Sequence, residues 1–168
     1  MIRLTIVLFF TTFLCFSQES TPTIGVKNEL KVNAASLLAG FPEFTYERIL
    51  SEDTAAGISV AFSIEDGVSL DYLITPYYRL YLGKKIASGF FLEGNGAVFS
   101  QELEVFEDGR ITAEESRIGL GLGIAVGGKF ILKENWSVEI YGGLGRNFID
   151  NRTTDVYPRV GITLGRRF

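Results

Sequence analysis

The sequence predicts an all-β chain: an eight-stranded antiparallel up-and-down transmembrane β-barrel preceded by a cleavable signal peptide. Three observations carry this expectation. Apolar residues recur with period two, not 3.6, along nearly all of the chain after residue 28. Turn signals cut that pattern into eight segments, an even number that returns both ends to one side. No stretch after residue 17 approaches the ~20 apolar residues of a membrane helix. A membrane-bound chain then has only a closed barrel with which to satisfy its backbone groups in lipid.

The N-terminus reads as an export signal. Arg3 supplies the positive charge, Leu4 to Phe16 form a short apolar core, and Ser17 is the small residue at the break. Cys15 offers the alternative of a lipoprotein signal, but Leu14 before it is bulky where such signals want a small residue. The expected organisation is a signal peptide at 1–17, a short periplasmic segment at 18–28 and the barrel at 29–168. Cleavage removes the only cysteine, so no disulfide is expected. Loss of Arg3 takes the net charge from −4 to about −5, against a nucleic-acid partner.

Segment one, 29–38, sets Leu30, Val32 and Ala34 against Lys31, Asn33 and Ala35, and Gly40 and Pro42 mark a turn. Segment two, 43–50, opposes Phe44, Tyr46 and Leu50 to Glu43, Thr45 and Glu47, before a polar turn at Ser51 to Thr54. Segment three, 55–65, alternates Ile58, Val60, Phe62 and Ile64 with Gly57, Ser59, Ala61 and Ser63, and Asp66-Gly67 turns the chain. Segment four, 70–82, places Leu70, Tyr72, Ile74, Tyr78, Leu80 and Leu82 opposite Asp71, Thr75, Tyr77, Arg79 and Tyr81.

Lys84 and Lys85 sit in the next turn, and segment five, from Gly89, carries Phe90, Leu92 and Val98 against Glu93, Asn95 and Ala97. Segment six has the clearest pattern: Ile118, Leu120, Leu122, Ile124, Val126 and Phe130 alternate with Arg117, Gly119, Gly121, Gly123, Ala125 and Lys129. Segment seven sets Trp136, Val138, Ile140, Leu144 and Phe148 against Ser137, Glu139, Tyr141 and Asn147. Segment eight is the C-terminal Y-P-R-V-G-I-T-L-G-R-R-F, with Val160, Ile162, Leu164 and Phe168 on one face. Eight strands of the length that crosses a bilayer need roughly 80–100 residues, which leaves no room for a second domain.

The composition of the second face separates a membrane barrel from a soluble one. It mixes charge with Gly, Ser and Tyr, too rich in small residues for a solvent face and well suited to a crowded lumen. Tyr46, Tyr72, Tyr78, Trp136 and Phe148 stand at segment ends, where aromatic girdles form. A lipocalin-like soluble barrel, with the faces inverted, is the alternative.

The C-terminal strand resembles the last strand of bacterial outer-membrane barrels, whose terminal aromatic residue is read by the insertion machinery. That resemblance implies an insertion signal at Val160, Ile162, Leu164 and Phe168, although Arg166 stands where a penultimate aromatic is common. More narrowly, N-x-L-K-V-N at 28–33 followed by F-P-E-F-T-Y-E-R at 41–48 resembles an uncharacterised barrel family of Bacteroidota outer membranes. It implies fold and location and transfers no catalytic residue.

Chemistry is constrained by what is missing. The chain has no histidine, which removes Ser-His-acid arrangements and the usual general base. No catalytic residue, cofactor or metal site is therefore expected. Lys31, Glu43, Glu47, Asp71, Arg79, Glu93, Arg117, Lys129, Glu139 and Arg159 face inward and are expected to form an ion-pair network that plugs the lumen.

Phe106 to Ile111 reads as a hairpin around Asp108-Gly109. Its flanks make a candidate interaction surface at Glu104, Glu107, Asp108, Arg110, Glu114 and Glu115, without the spacing of a calcium loop. Asp53-Thr54-Ala55 resembles an O-glycosylation triplet, and Asn135 and Asn151 head accidental N-glycosylation patterns.

The expected protein is a monomeric, non-enzymatic outer-membrane barrel with a structural or surface-interaction role. Its expected partners are outer-membrane lipid, periplasmic chaperones and barrel-insertion machinery during biogenesis, and an unknown surface partner. The alternatives are a surface binder acting through the 101–117 hairpin, a narrow channel, or a soluble ligand-binding barrel.

Overall fold

A computed structural model describes residues 26–64, 70–107, 110–132, 135–149 and 155–168, with the backbone alone across 102–107 and 110–115. Its elements run β1 (Asn28–Asn33), α1 (Ala34–Leu38), β2 (Glu43–Ile49), β3 (Thr54–Phe62), β4 (Leu70–Tyr81), β5 (Gly89–Glu107), β6 (Arg110–Ile131), β7 (Trp136–Asn147) and β8 (Val156–Arg167). Every strand pairs antiparallel with its neighbour in sequence, and β1 pairs with β8 to close an eight-stranded barrel. The seam is locked by reciprocal backbone bonds between Asn28 and Phe168, at 3.1 and 2.9 Å. Within the barrel, closure pairs each strand on both sides. Beyond Gln101 in β5 and before Leu120 in β6 the described ladder joins those two strands to each other alone.

Side-chain parity is the feature that matters for function. In β8 exposed and buried residues alternate without a break from Val156 to Arg167. The outward residues are mostly apolar, with Arg48, Arg146 and Arg166 as exceptions near strand ends. Leu30, Phe44, Val60, Leu80, Leu92, Ile124, Ile140 and Ile162 are all well exposed. Lys31, Glu47, Arg79, Glu93, Lys129, Glu139 and Arg159 are almost fully buried. The molecule is thus apolar outside and charged inside, the inverse of a water-soluble barrel.

The two ends of the barrel differ. At the end that carries both termini the connections are short, at 50–53, 82–88 and 132–135. The opposite, loop end carries α1. β5 and β6, at 19 and 22 residues, are the longest strands and stay paired to Glu107↔Arg110, with one register shift between Val105 and Phe106. Asp108, of the candidate hairpin, lies outside the described residues, as do the expected signal peptide at 1–17, the expected Asp66-Gly67 turn and the Asn151 triplet.

Two readings from periodicity are corrected. Residues 34–38 form α1 and not the end of the first strand. Asn33 caps that turn: its Oδ1 accepts from the backbone N–H groups of Ala35 and Ser36 at 3.2 and 3.4 Å. Gly40, at φ +76°, takes the left-handed conformation that ends it. The second correction is Leu70, expected on the outer face. A register shift between Leu70 and Tyr72 inserts Asp71 as an extra residue. Leu70 then packs on the inner cluster of Ala97, Phe99 and Tyr157.

The inner face of β6 and β7 is small because a large ring needs the space. A Cβ added at Gly145 would collide with the ring of Tyr157, and one at Gly121 would meet the same ring. Gly145→Val is therefore expected to displace Tyr157 and lower the stability of the refolded barrel by about 1–3 kcal/mol. Urea unfolding in lipid vesicles measures it.

Candidate functional site: the lumen ion-pair network

The interior is filled by charge. Lys31, Glu47 and Glu139 meet where β1, β2 and β7 face one another across the lumen. Lys31 Nζ lies 2.6 Å from Glu47 Oε2 and 2.6 Å from Glu139 Oε1. Arg79, from β4, reaches the same two carboxylates with Nη1, at 3.2 and 2.8 Å, and Glu93 with Nε at 2.7 Å. Its guanidinium also stacks over the rings of Phe91 and Tyr77, at 4.2 and 4.5 Å. Glu47 is the hub. It accepts from Lys31, Arg79 and Lys129, and from the hydroxyls of Tyr77 at 2.9 Å and Tyr81 at 3.1 Å.

Towards the terminus end, Lys129 Nζ bonds Glu29 at 2.8 Å, Glu47 at 2.5 Å and Glu139 at 3.0 Å. Those three glutamates place carboxylate oxygens within 4.8 Å of one another, a spacing that suits a metal ion. The ammonium of Lys129 touches all three, so a lysine already supplies the cation there. Arg167 closes this end. Its Nε bonds Glu29 at 3.1 Å while its Nη atoms donate to the carbonyls of Ile86 and Ala87 in the β4–β5 turn.

Towards the loop end, Arg159 bonds Glu93 through Nε at 3.0 Å and Glu43 through Nη1. Asn33 links this layer to the helix cap, donating to Glu43 Oε2 at 2.7 Å. The ion pairs join five cations (Lys31, Arg79, Lys129, Arg159, Arg167) to five carboxylates (Glu29, Glu43, Glu47, Glu93, Glu139). Among the described residues the charges of these ion pairs cancel, as suits charges deprived of water.

Eight of the ten residues expected in the lumen thus share one network. Asp71 does not join it. As the extra residue of the bulge its carboxylate accepts from Ser100 Oγ at 2.8 Å, with no ion pair among the described residues. Arg117 lies nearer the loop end, in register with Gln101. Two members were missed, Glu29 and Arg167. Both lie inside the assigned segments and have the inward parity of their strands, so carrying the alternation through to each segment's end would have found them. The four residues of the terminal-strand signal, Val160, Ile162, Leu164 and Phe168, all project outward. In the hairpin, Glu104 stands opposite Glu114, Leu103 opposite Glu115 and Glu107 opposite Arg110. Thr54 Oγ1 is 2.6 Å from Ser51 Oγ in the β2–β3 turn.

Residues 4–161 match a family described as proteins of unknown function, DUF3575. The chain belongs to the DUF3575 family. Its fold is similar to that of the N-terminal β-barrel domain of Pseudomonas aeruginosa OprF, with a TM-score of 0.55 and 15% sequence identity. That similarity covers 85% of this chain and 96% of the OprF domain. Among curated proteins no sequence is significantly similar to it.

Proposed function

We propose that this DUF3575 member is a monomeric, non-enzymatic outer-membrane barrel whose role is structural or surface-interacting. The observation that carries the reading is the inversion of the two faces. Exposed Leu, Ile, Val and Phe side chains surround all eight strands, while the ion pairs lie within. A soluble monomer rarely exposes a contiguous apolar patch beyond a few hundred Å². In lipid the same surface is the solvated one. Lipid is thus its lasting partner, with chaperones and insertion machinery needed during export behind its signal peptide.

The network supports a closed lumen and not a channel or a catalytic chamber. Each carboxylate in it is held by at least one cation, leaving none free to act as base. Gradient fractionation of expressing cells should place the chain with the outer membrane. Planar bilayers containing the purified protein should show no steady conductance. Recovery in the soluble fraction, or a steady open level, would defeat the reading.

The length of β5 and β6 favours a second reading, a surface binder acting through the 101–117 hairpin. Crossing a bilayer takes ~9–11 residues, and these strands have 19 and 22. Their paired tip therefore extends beyond lipid as a ribbon. Deleting residues 103–114 should leave the barrel folded and abolish adhesion or partner capture. Unchanged capture would remove this reading.

A further inference from the structure

The loop end of the barrel holds a cavity of about 340 Å³ beneath α1, beside β8. Much of its wall is apolar: Phe41, Ala61, Leu70, Leu73 and Phe99 line it. The bulge in β4 is what brings Leu70 into this wall. Arg159 and Glu43 also line it. Arg159 is only 3% exposed, and its Nη2 is a buried nitrogen without a hydrogen-bond partner among the described residues. Nε and Nη1 of the same guanidinium are spoken for by Glu93 and Glu43. An orphaned buried donor is costly, and here it belongs to a residue lining an apolar space large enough for a small ligand.

The charge balance decides the kind of acceptor that fits. Arg159 already faces two carboxylates, Glu43 lines the same cavity, and the network's charges cancel. A third carboxylate would bring an uncompensated negative charge against Glu43. A neutral carbonyl would satisfy Nη2 with no such cost.

We propose that this mouth is a binding site for a neutral acyl compound: a short apolar chain ending in an amide or ester carbonyl, the carbonyl accepting from Arg159 Nη2. The chain lies against Phe99, Leu70 and Leu73. Hexanamide is a soluble probe with these parts, and hexanoate is its anionic counterpart.

The test is calorimetric titration of hexanamide into the full mature chain refolded in phospholipid nanodiscs, with empty nanodiscs subtracted. A saturable one-to-one heat is expected, with hexanoate bound at least tenfold more weakly. Arg159→Lys keeps the charge but loses the planar fork, and should weaken hexanamide about tenfold. Ala61→Phe fills the apolar space and, although it stands opposite Glu43, removes no member of an ion pair; it should abolish binding even if the arginine variant fails to refold. No saturable heat above empty nanodiscs would overturn the proposal. So would hexanoate binding as tightly as the amide, or undiminished binding in Ala61→Phe.

Discussion

Lys129→Met is expected to destabilise the barrel by about 3–5 kcal/mol, the cost of breaking a buried ion pair by removing one partner. The ammonium lost is the one that touches Glu29, Glu47 and Glu139, and it also donates to the hydroxyl of Tyr81 at 3.0 Å. Arg167 still holds Glu29, and Lys31 and Arg79 still hold the other two carboxylates, but the interior acquires a net negative charge. Restoring neutrality should restore stability. The double variant Lys129→Met with Glu47→Gln is expected to recover more than half of the loss. Urea unfolding in lipid vesicles measures both. A single-variant loss below about 1 kcal/mol, the worth of a surface pair, would mean that water enters the lumen and screens the network.

Ile140→Arg should be as damaging, for a reason on the other face. Ile140 sits opposite Ile162 in the β7–β8 register, and both are exposed near the middle of their strands. An arginine at the mid-plane of a membrane barrel costs about 2–4 kcal/mol. In a water-soluble barrel the same change on an exposed position would be nearly neutral or would improve solubility. Folding yield into vesicles against yield in plain buffer separates the two. Ile162→Arg should behave alike. Val156→Arg, at the loop-end start of β8, should cost far less, because the penalty falls towards the interface.

Much of this was legible because strand parity is a two-state property. Once the apolar residues of 118–126 are assigned to one face, Arg117 and Lys129 must take the other, whatever the details of packing. The same logic placed Glu47, Arg79, Glu139 and Arg159 inside, where they meet. What parity cannot carry is a change of phase. Asp71 shifts the register of β4 by one residue, so Leu70 turns inward and Asp71 leaves the network, with no local motif to announce it. The α1 turn was hidden for a different reason. Its five residues are too few to show a helical period, and only the capping side chain of Asn33 and Gly40 after it carried the signal. The binding cavity was out of reach altogether. Its wall joins β2, β3, β4, β5 and β8, and its key fact is one unpaired nitrogen on Arg159, which no spacing in a sequence reveals.

Heat-modifiability tests the central claim most directly. The purified chain, refolded in mild detergent, would be run unboiled and boiled on a denaturing gel. A closed membrane barrel, its seam joined from Asn28 to Phe168, resists the cold detergent, runs fast unboiled and slows on boiling. No shift, together with a chain that stays in solution without detergent, would contradict the account. The apolar belt would then not be a lipid-facing surface.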